Sequence, residues 1–155
     1  MLNNFLDNRC IELKSNYDSY EDLITNVSRE LLKYGYVKES FLENILGREK
    51  QYPTGFELGG KYNIAIPHTD MENVLKPVIY IVVLDRPVMF KSAEDGKSDI
   101  SVDIVFVISL NEKDKHIVVL EELMKIFSKN DLIEKIKNSE DKDELIRLIY
   151  EEEKK

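Results

Sequence analysis

Apolar residues along this chain recur in two alternating rhythms, one of strands and one of helices. Residues 10–14 alternate apolar and polar, with Ile11 and Leu13 on one side, which predicts a first strand. Ser19, followed three positions later by Asp22, opens a helical pattern of Leu23, Ile24, Val27, Leu31 and Leu32, and Gly35 closes it. A second helix is predicted over 38–49, opened by Lys38 or Ser40, with Phe41, Leu42, Ile45 and Leu46 on one face. Pro53, Thr54, Gly55, Gly59 and Gly60 then mark a loop. The triplet Ile64-Ala65-Ile66 stops at Pro67. Residues 78–84 and 102–110 are β-branched and continuously apolar, as in strands covered on both faces, although Asp103 interrupts the second. The polar segment 91–101 between them reads as a surface excursion. From Lys113 the rhythm is helical again, with Ile117, Leu120, Leu123, Met124 and Phe127 as the expected inward stripe. Shorter helical pieces follow at 132–136 and 143–149, and the charged end 151–155 is expected to fray. Strands alternating with helices predict an α/β domain with helices on the sheet faces.

The 155 residues suit one domain spanning 1–155, and no repeat or linker divides them. Size scaling gives a folded surface of ~8,000 Å², enough burial for a core without covalent staples. The balance of 22 basic and 30 acidic residues, a net charge of −8, argues against a nucleic-acid binder and against an anionic membrane surface as partner. A basic patch on another protein is the better electrostatic match. The single cysteine, Cys10, excludes an internal disulfide and a zinc site of several thiolates, and a reducing, cytoplasmic setting is expected. The first ten residues are too polar for a secretory leader, and the longest apolar run, 77–84, is far short of the ~20 residues of a membrane helix.

Candidate chemistry gathers at few residues. His68 follows Ile64-Ala65-Ile66-Pro67, where the proline restricts Ile66 to extended geometry, so the imidazole is held at the rim of a sheet on stiff backbone. A histidine so placed can serve as base, metal ligand or nucleophile; the plain alternative is a surface-loop histidine. His116 falls in the first turn of the helix after a buried strand, where a helix start favours an anion; the alternative is an exposed first-turn residue. Arg48 offers a planar fork for a phosphoryl group, or is a solvated charge. Gly59-Gly60 lacks the Lys and Ser/Thr of a P-loop, no serine sits in a nucleophile elbow, and no metal-ligand spacing supports a metal.

The segment Asn63-Ile64-Ala65-Ile66-Pro67-His68 resembles the histidine motif of the enzyme IIA proteins of the bacterial sugar phosphotransferase system, fructose–mannitol type. Other features follow in that family's order: Arg48-Glu49, then Pro53-Thr54-Gly55, then the histidine motif, then His116 opening a Leu-rich helix with Leu120, Leu123 and Phe127. The resemblance covers residues 20–149. It implies a mixed β-sheet flanked by helices on both faces. It further implies that His68 accepts a phosphoryl group from phospho-HPr and passes it to a cysteine of a IIB component, with a IIC membrane permease further down the chain. Arg48 and His116 would stabilise the phosphoryl group, with Thr54 and Thr69 as further hydrogen-bonding candidates. No cofactor or metal is implied. Many family members carry glycine after the histidine. Here Thr69-Asp70 follows, as in the galactitol-type branch, which the segment 87–101 also resembles. Nε2 is the expected phosphorylation site, with Nδ1 held by a backbone carbonyl or a neighbouring side chain. A regulatory IIA-like phosphoprotein and a two-histidine hydrolase are the competing readings, and an inert binding domain is the plainest one.

Overall fold

The computed structural model describes all 155 residues. Its first strand, β1 (Ile11–Ser15), leads into α1 (Tyr20–Lys33), which starts where Ser19 accepts a hydrogen bond from the Asp22 amide. Gly35, at φ +80°, reverses the chain just past that helix. α2 (Phe41–Gln51), β2 (Gly55–Phe56) and β3 (Ile64–Ala65) follow. Then come two long strands, β4 (Val78–Lys91) and β5 (Asp99–Ser109). The chain ends in α3 (Lys113–Phe127), α4 (Asn130–Lys137) and α5 (Lys142–Glu153).

The sheet order is β1-β4-β5-β3-β2. β1 runs parallel to β4 and β3 parallel to β5, whereas β4–β5 and β2–β3 are antiparallel. The sheet is therefore mixed, with two-residue strands at the end that will carry the site. Its pleat sorts the apolar residues onto two faces. Ile79, Ile81, Val83, Ile104, Phe106 and Ile108 meet α3, α4, α5 and the N-terminal turn Leu2–Phe5. Tyr80, Val82, Leu84, Val105 and Val107 meet α1 and α2. Continuous apolar runs at 78–84 and 104–108 are what two covered faces require. The folded surface is 8092 Å², as the chain length predicts. No helix is long and apolar enough to cross a membrane.

Three expectations are corrected. The polar segment 91–101 is a surface excursion only over 92–98, and the strands on either side of it are long. β4 continues through Asp85, Arg86 and Pro87 to Lys91, and β5 already begins at Asp99. The ladder breaks its register between Val83 and Val88, which lets the strand carry a proline. Beyond the break, Val88 and Phe90 pair with Val102 and Ile100 and pack on the α1–α2 side. In α3 the inward residues are Val119, Leu123, Ile126 and Phe127, while Ile117 and Met124 are exposed. The tail 151–155 does not simply fray: α5 runs to Glu153, whose carboxylate accepts the Leu2 amide at 2.7 Å and the Asn3 amide at 2.9 Å. That bond closes the N-terminal turn onto the last helix, a long-range contact without a local signature.

Candidate functional site

The histidine segment leaves β3 and stays attached to the sheet for three more residues. The Ile108 amide of β5 donates to the Pro67 carbonyl at 3.0 Å, and His68 itself bridges in parallel to Ile108. Pro67 has no N–H to lose and is already extended, so this pairing satisfies its only polar backbone group. The ring of His68 turns back and places Nδ1 2.8 Å from the Ile66 carbonyl. A carbonyl oxygen can only accept, so Nδ1 carries the proton and the neutral ring keeps its lone pair on Nε2.

His68 shares a cavity of about 480 Å³ with Arg48, Thr69, Asp70, Met71, Glu72, Lys113, His116 and Ile117. His116 comes from the first turn of α3, its own amide bonded to the Glu112 carbonyl at 3.1 Å. The two imidazole rings lie 5.2 Å apart, tilted by 54°. Arg48 comes from the last turn of α2. Its Nη1 lies 3.5 Å from Asp70 Oδ1, its guanidinium stands 5.6 Å above the Tyr52 ring, and its buried Nε has no partner. Burial holds His68 below its ordinary value, and the charge of Arg48 pushes the same way against Asp70. His116 is lowered as well, by burial first and then by His68 and Arg48. Both imidazoles are thereby kept neutral near pH 7, and the fixed positive charges are Arg48 and Lys113.

The structure thus brings Arg48, His68, Thr69 and His116 together. It does not bring Thr54 to the cavity. Thr54 is buried, its hydroxyl donates to Glu49 at 2.8 Å, and the same oxygen accepts the Ile66 amide at 3.2 Å. With both functions spent beneath the site, Thr54 has no reach to a bound group, and its expected direct contact with a phosphoryl group is corrected. Glu49 entered the sequence reading only as part of the Arg48-Glu49 pair, with no role of its own. Its signal was the spacing: Phe41, Ile45 and Glu49 form one row four residues apart, and all three are buried. Burial pushes the Glu49 carboxyl up to about 7, against the lowering effect of its bonds to Thr54. Ile117 on the cavity wall is 48% exposed, and Tyr52, against Arg48 outside the cavity, is 59% exposed.

An unprotonated ring nitrogen lining a polar cleft, with a guanidinium and a second imidazole beside it, is chemically able to act as a nucleophile and to hold an anionic group, on a mixed sheet between two helical layers. The comparisons give the family. Residues 4–152 match the family described as phosphoenolpyruvate-dependent sugar phosphotransferase system, EIIA 2, and the chain belongs to that family, the fructose–mannitol type of EIIA component. It is 26% identical over 113 residues to the galactitol-specific EIIA component of Escherichia coli K12, covering 73% of this chain and 74% of that protein. It is 30% identical over 132 residues to the mannitol-specific EIICBA component of the same organism, covering 83% of this chain but 19% of that longer protein. Among solved structures, it resembles the complex of enzyme IIAMTL and phosphorylated enzyme IIBMTL from Escherichia coli, with a TM-score of 0.76, 26% identity and coverage of 94% and 96% of the two chains. A role as a phosphocarrier of the sugar phosphotransferase system, a transferase in general terms, follows from that membership.

Proposed function

We propose that His68 is the phosphoryl-carrying residue, loaded by phospho-HPr and unloaded onto a cysteine of a IIB component. The observation that carries this reading is the orientation of His68, with Nδ1–H spent on Ile66 and Nε2 left as the nucleophile. In the first transfer the Nε2 lone pair forms a bond to phosphorus while the donor's bond to phosphorus breaks, and that electron pair returns to the donor. In the second a thiolate of IIB forms the P–S bond, and the pair of the breaking P–N bond returns to Nε2. Nδ1 keeps its proton on the Ile66 carbonyl throughout. Such transfers pass through a loose transition state with charge on the equatorial oxygens, so positioned cationic and polar donors dominate. Arg48 and His116 flank the ring and would take those oxygens, with Thr69 as a nearby donor. Asp70 Oδ1 lies 3.5 Å from Arg48 Nη1, and a more highly charged phosphoryl group would compete with it for Arg48.

The exposed Ile117 beside the histidine, with Tyr52 beyond Arg48, offers two successive protein partners apolar surface. Galactitol is the sugar this reading favours, supported by the galactitol-specific relative and by Thr69-Asp70 after the histidine. The IIC permease enters only through IIB, and the cytoplasm is the compartment where such a relay runs.

The test is intact mass after incubation with phosphoenolpyruvate, enzyme I and HPr. One acid-labile phosphoryl adduct on the wild type, absent from His68→Ala, is the expected result. Folded wild-type protein that gains no adduct would overturn the reading and leave the regulatory or inert alternatives. Turnover of a small phosphoester without a protein donor would instead favour the hydrolase.

A further inference from the structure

Glu49 and Thr54 take no part in the cavity, yet they are bonded into the segment that aims His68. Glu49 is 4% exposed and Thr54 is 7% exposed. One carboxylate oxygen accepts the Thr54 amide at 2.8 Å, and the other accepts the Thr54 hydroxyl at 2.8 Å. The Ile66 amide is shared between the Thr54 hydroxyl oxygen at 3.2 Å and the Thr54 carbonyl at 3.3 Å. The carbonyl of the same Ile66 receives Nδ1–H of His68. Two tethers therefore flank the Ile66–Pro67 peptide, whose carbonyl takes this bond. β5 holds Pro67 through Ile108, and the Glu49–Thr54 pair holds Ile66 from below.

We propose that Glu49 is a positioning residue for His68, acting through Thr54 and Ile66 to keep the Ile66 carbonyl on Nδ1 and so keep Nε2 directed at the cavity. The inference deepens the phosphoryl-carrier reading and rests on it for its kinetic part only. Both bonds to the Ile66 amide are long, so each is weak alone and the hydroxyl is needed beside the carbonyl. Without it the Ala65–Ile66 peptide can roll, the Ile66–Pro67 peptide joined to it through the Ile66 Cα turns with it, Nδ1 loses its acceptor, and the ring populates the other tautomer, whose lone pair faces the backbone. Arg48 is the neighbour of Glu49 on the same helical turn, so one turn of α2 supplies both the cavity cation and the clamp beneath the histidine.

The experiment compares Thr54→Ser, Thr54→Val and Glu49→Gln. Serine keeps the hydroxyl, valine keeps the shape without it, and glutamine replaces one acceptor oxygen by a donor. Two readouts are taken on the folded proteins: the tautomer of His68 by nitrogen-15 NMR of the imidazole, and the rate of phosphoryl transfer from phospho-HPr. Wild type and Thr54→Ser should show the Nδ1–H tautomer and rates within about twofold of each other. Thr54→Val and Glu49→Gln should populate the Nε2–H tautomer and slow transfer by roughly tenfold or more. Should valine prevent folding, Thr54→Ala takes its place in the same comparison. Folded Thr54→Val and Glu49→Gln with wild-type tautomer and rate would overturn the proposal. So would a Thr54→Ser that behaves like Thr54→Val, since the effect would then be one of shape. If the wild type accepts no phosphoryl group, the carrier reading falls, while the tautomers still decide the positioning role.

Discussion

Replacing Glu49 by glutamine should change how stability depends on pH, and the size follows from its burial. The carboxyl has an ordinary value of 4.5 and is pushed to about 7 in the fold. A group raised in this way binds its proton more tightly when folded. The stability it contributes is complete below pH 4.5 and is lost as pH rises to about 7. Each pH unit in that window is worth about 1.4 kcal/mol, so the loss is about 3 kcal/mol. Glutamine cannot ionise and loses nothing. The free energy of unfolding, measured by urea titration of both proteins between pH 4 and 8, should therefore diverge in favour of the variant by about 3 kcal/mol across the window. His68 and His116 act in the opposite sense. Their lowered values make stability rise with pH up to the ordinary histidine value of 6.5. His116 cancels in the difference, and any change at His68 in the variant is confined to pH below 6.5, leaving the upper part of the window to Glu49. The hydrogen bonds lost to glutamine move the whole curve and not its slope. A difference between the two proteins that stays flat with pH would refute the argument that Glu49 is desolvated at a cost.

Other outcomes follow from the same geometry. Because burial and Arg48 hold His68 below 6.5, phosphoryl transfer should be level from neutral pH upward and fall only in acid below 6.5; a midpoint above that value in the rate profile would contradict the assignment of a neutral nucleophile. Asp70→Asn should release Arg48 and remove a carboxylate from the cavity wall, lengthening the life of the phosphoryl adduct by about twofold to fivefold in a mass-spectrometric time course. An unchanged half-life would show that Asp70 does not sense the bound group. Gly55→Ala places a Cβ 2.8 Å from the Lys91 carbonyl oxygen, a backbone atom that cannot step aside, so the urea midpoint should drop by the equivalent of about 1–3 kcal/mol. A wild-type midpoint would mean that the β2 edge is free to move.

Where neighbours in sequence decide the outcome, the reading from residues agrees with the structure. Ser19 with Asp22, and Gly35, are local devices, and each falls where it was expected, whereas β3 ends at Ala65 and contact with β5 goes on through Pro67 and His68. Nδ1 of His68 does meet a backbone carbonyl, because Pro67 leaves the chain few other paths. The departures arise where a distant partner decides. Asp85-Arg86-Pro87 falls in the register break, and the strand goes on past it because Val88 and Phe90 pair with Val102 and Ile100 of β5. In α3 the stretch from Ile117 to Leu120 is apolar all round, so periodicity could not say which side faces the sheet. Glu153 and Glu49 each find backbone amides of another segment, and an acid beside other charges gives no hint of that. The cavity was legible as Arg48, His68 and His116, but Thr54 was placed one layer too high.

The three side chains flanking the cleft do not hang from one support. Arg48 is carried by a helix packed on one side of the sheet, His116 by a helix packed on the other, and His68 by the short strand between them. The cleft is thus the seam of two separately built halves. A cavity opened in either core, at Ile45 or at Leu123 for instance, would spread that seam without touching a residue in it. Heat-sensitive carriers are then expected to map to both layers, and a second-site change that tightens one layer can compensate for slack in the other.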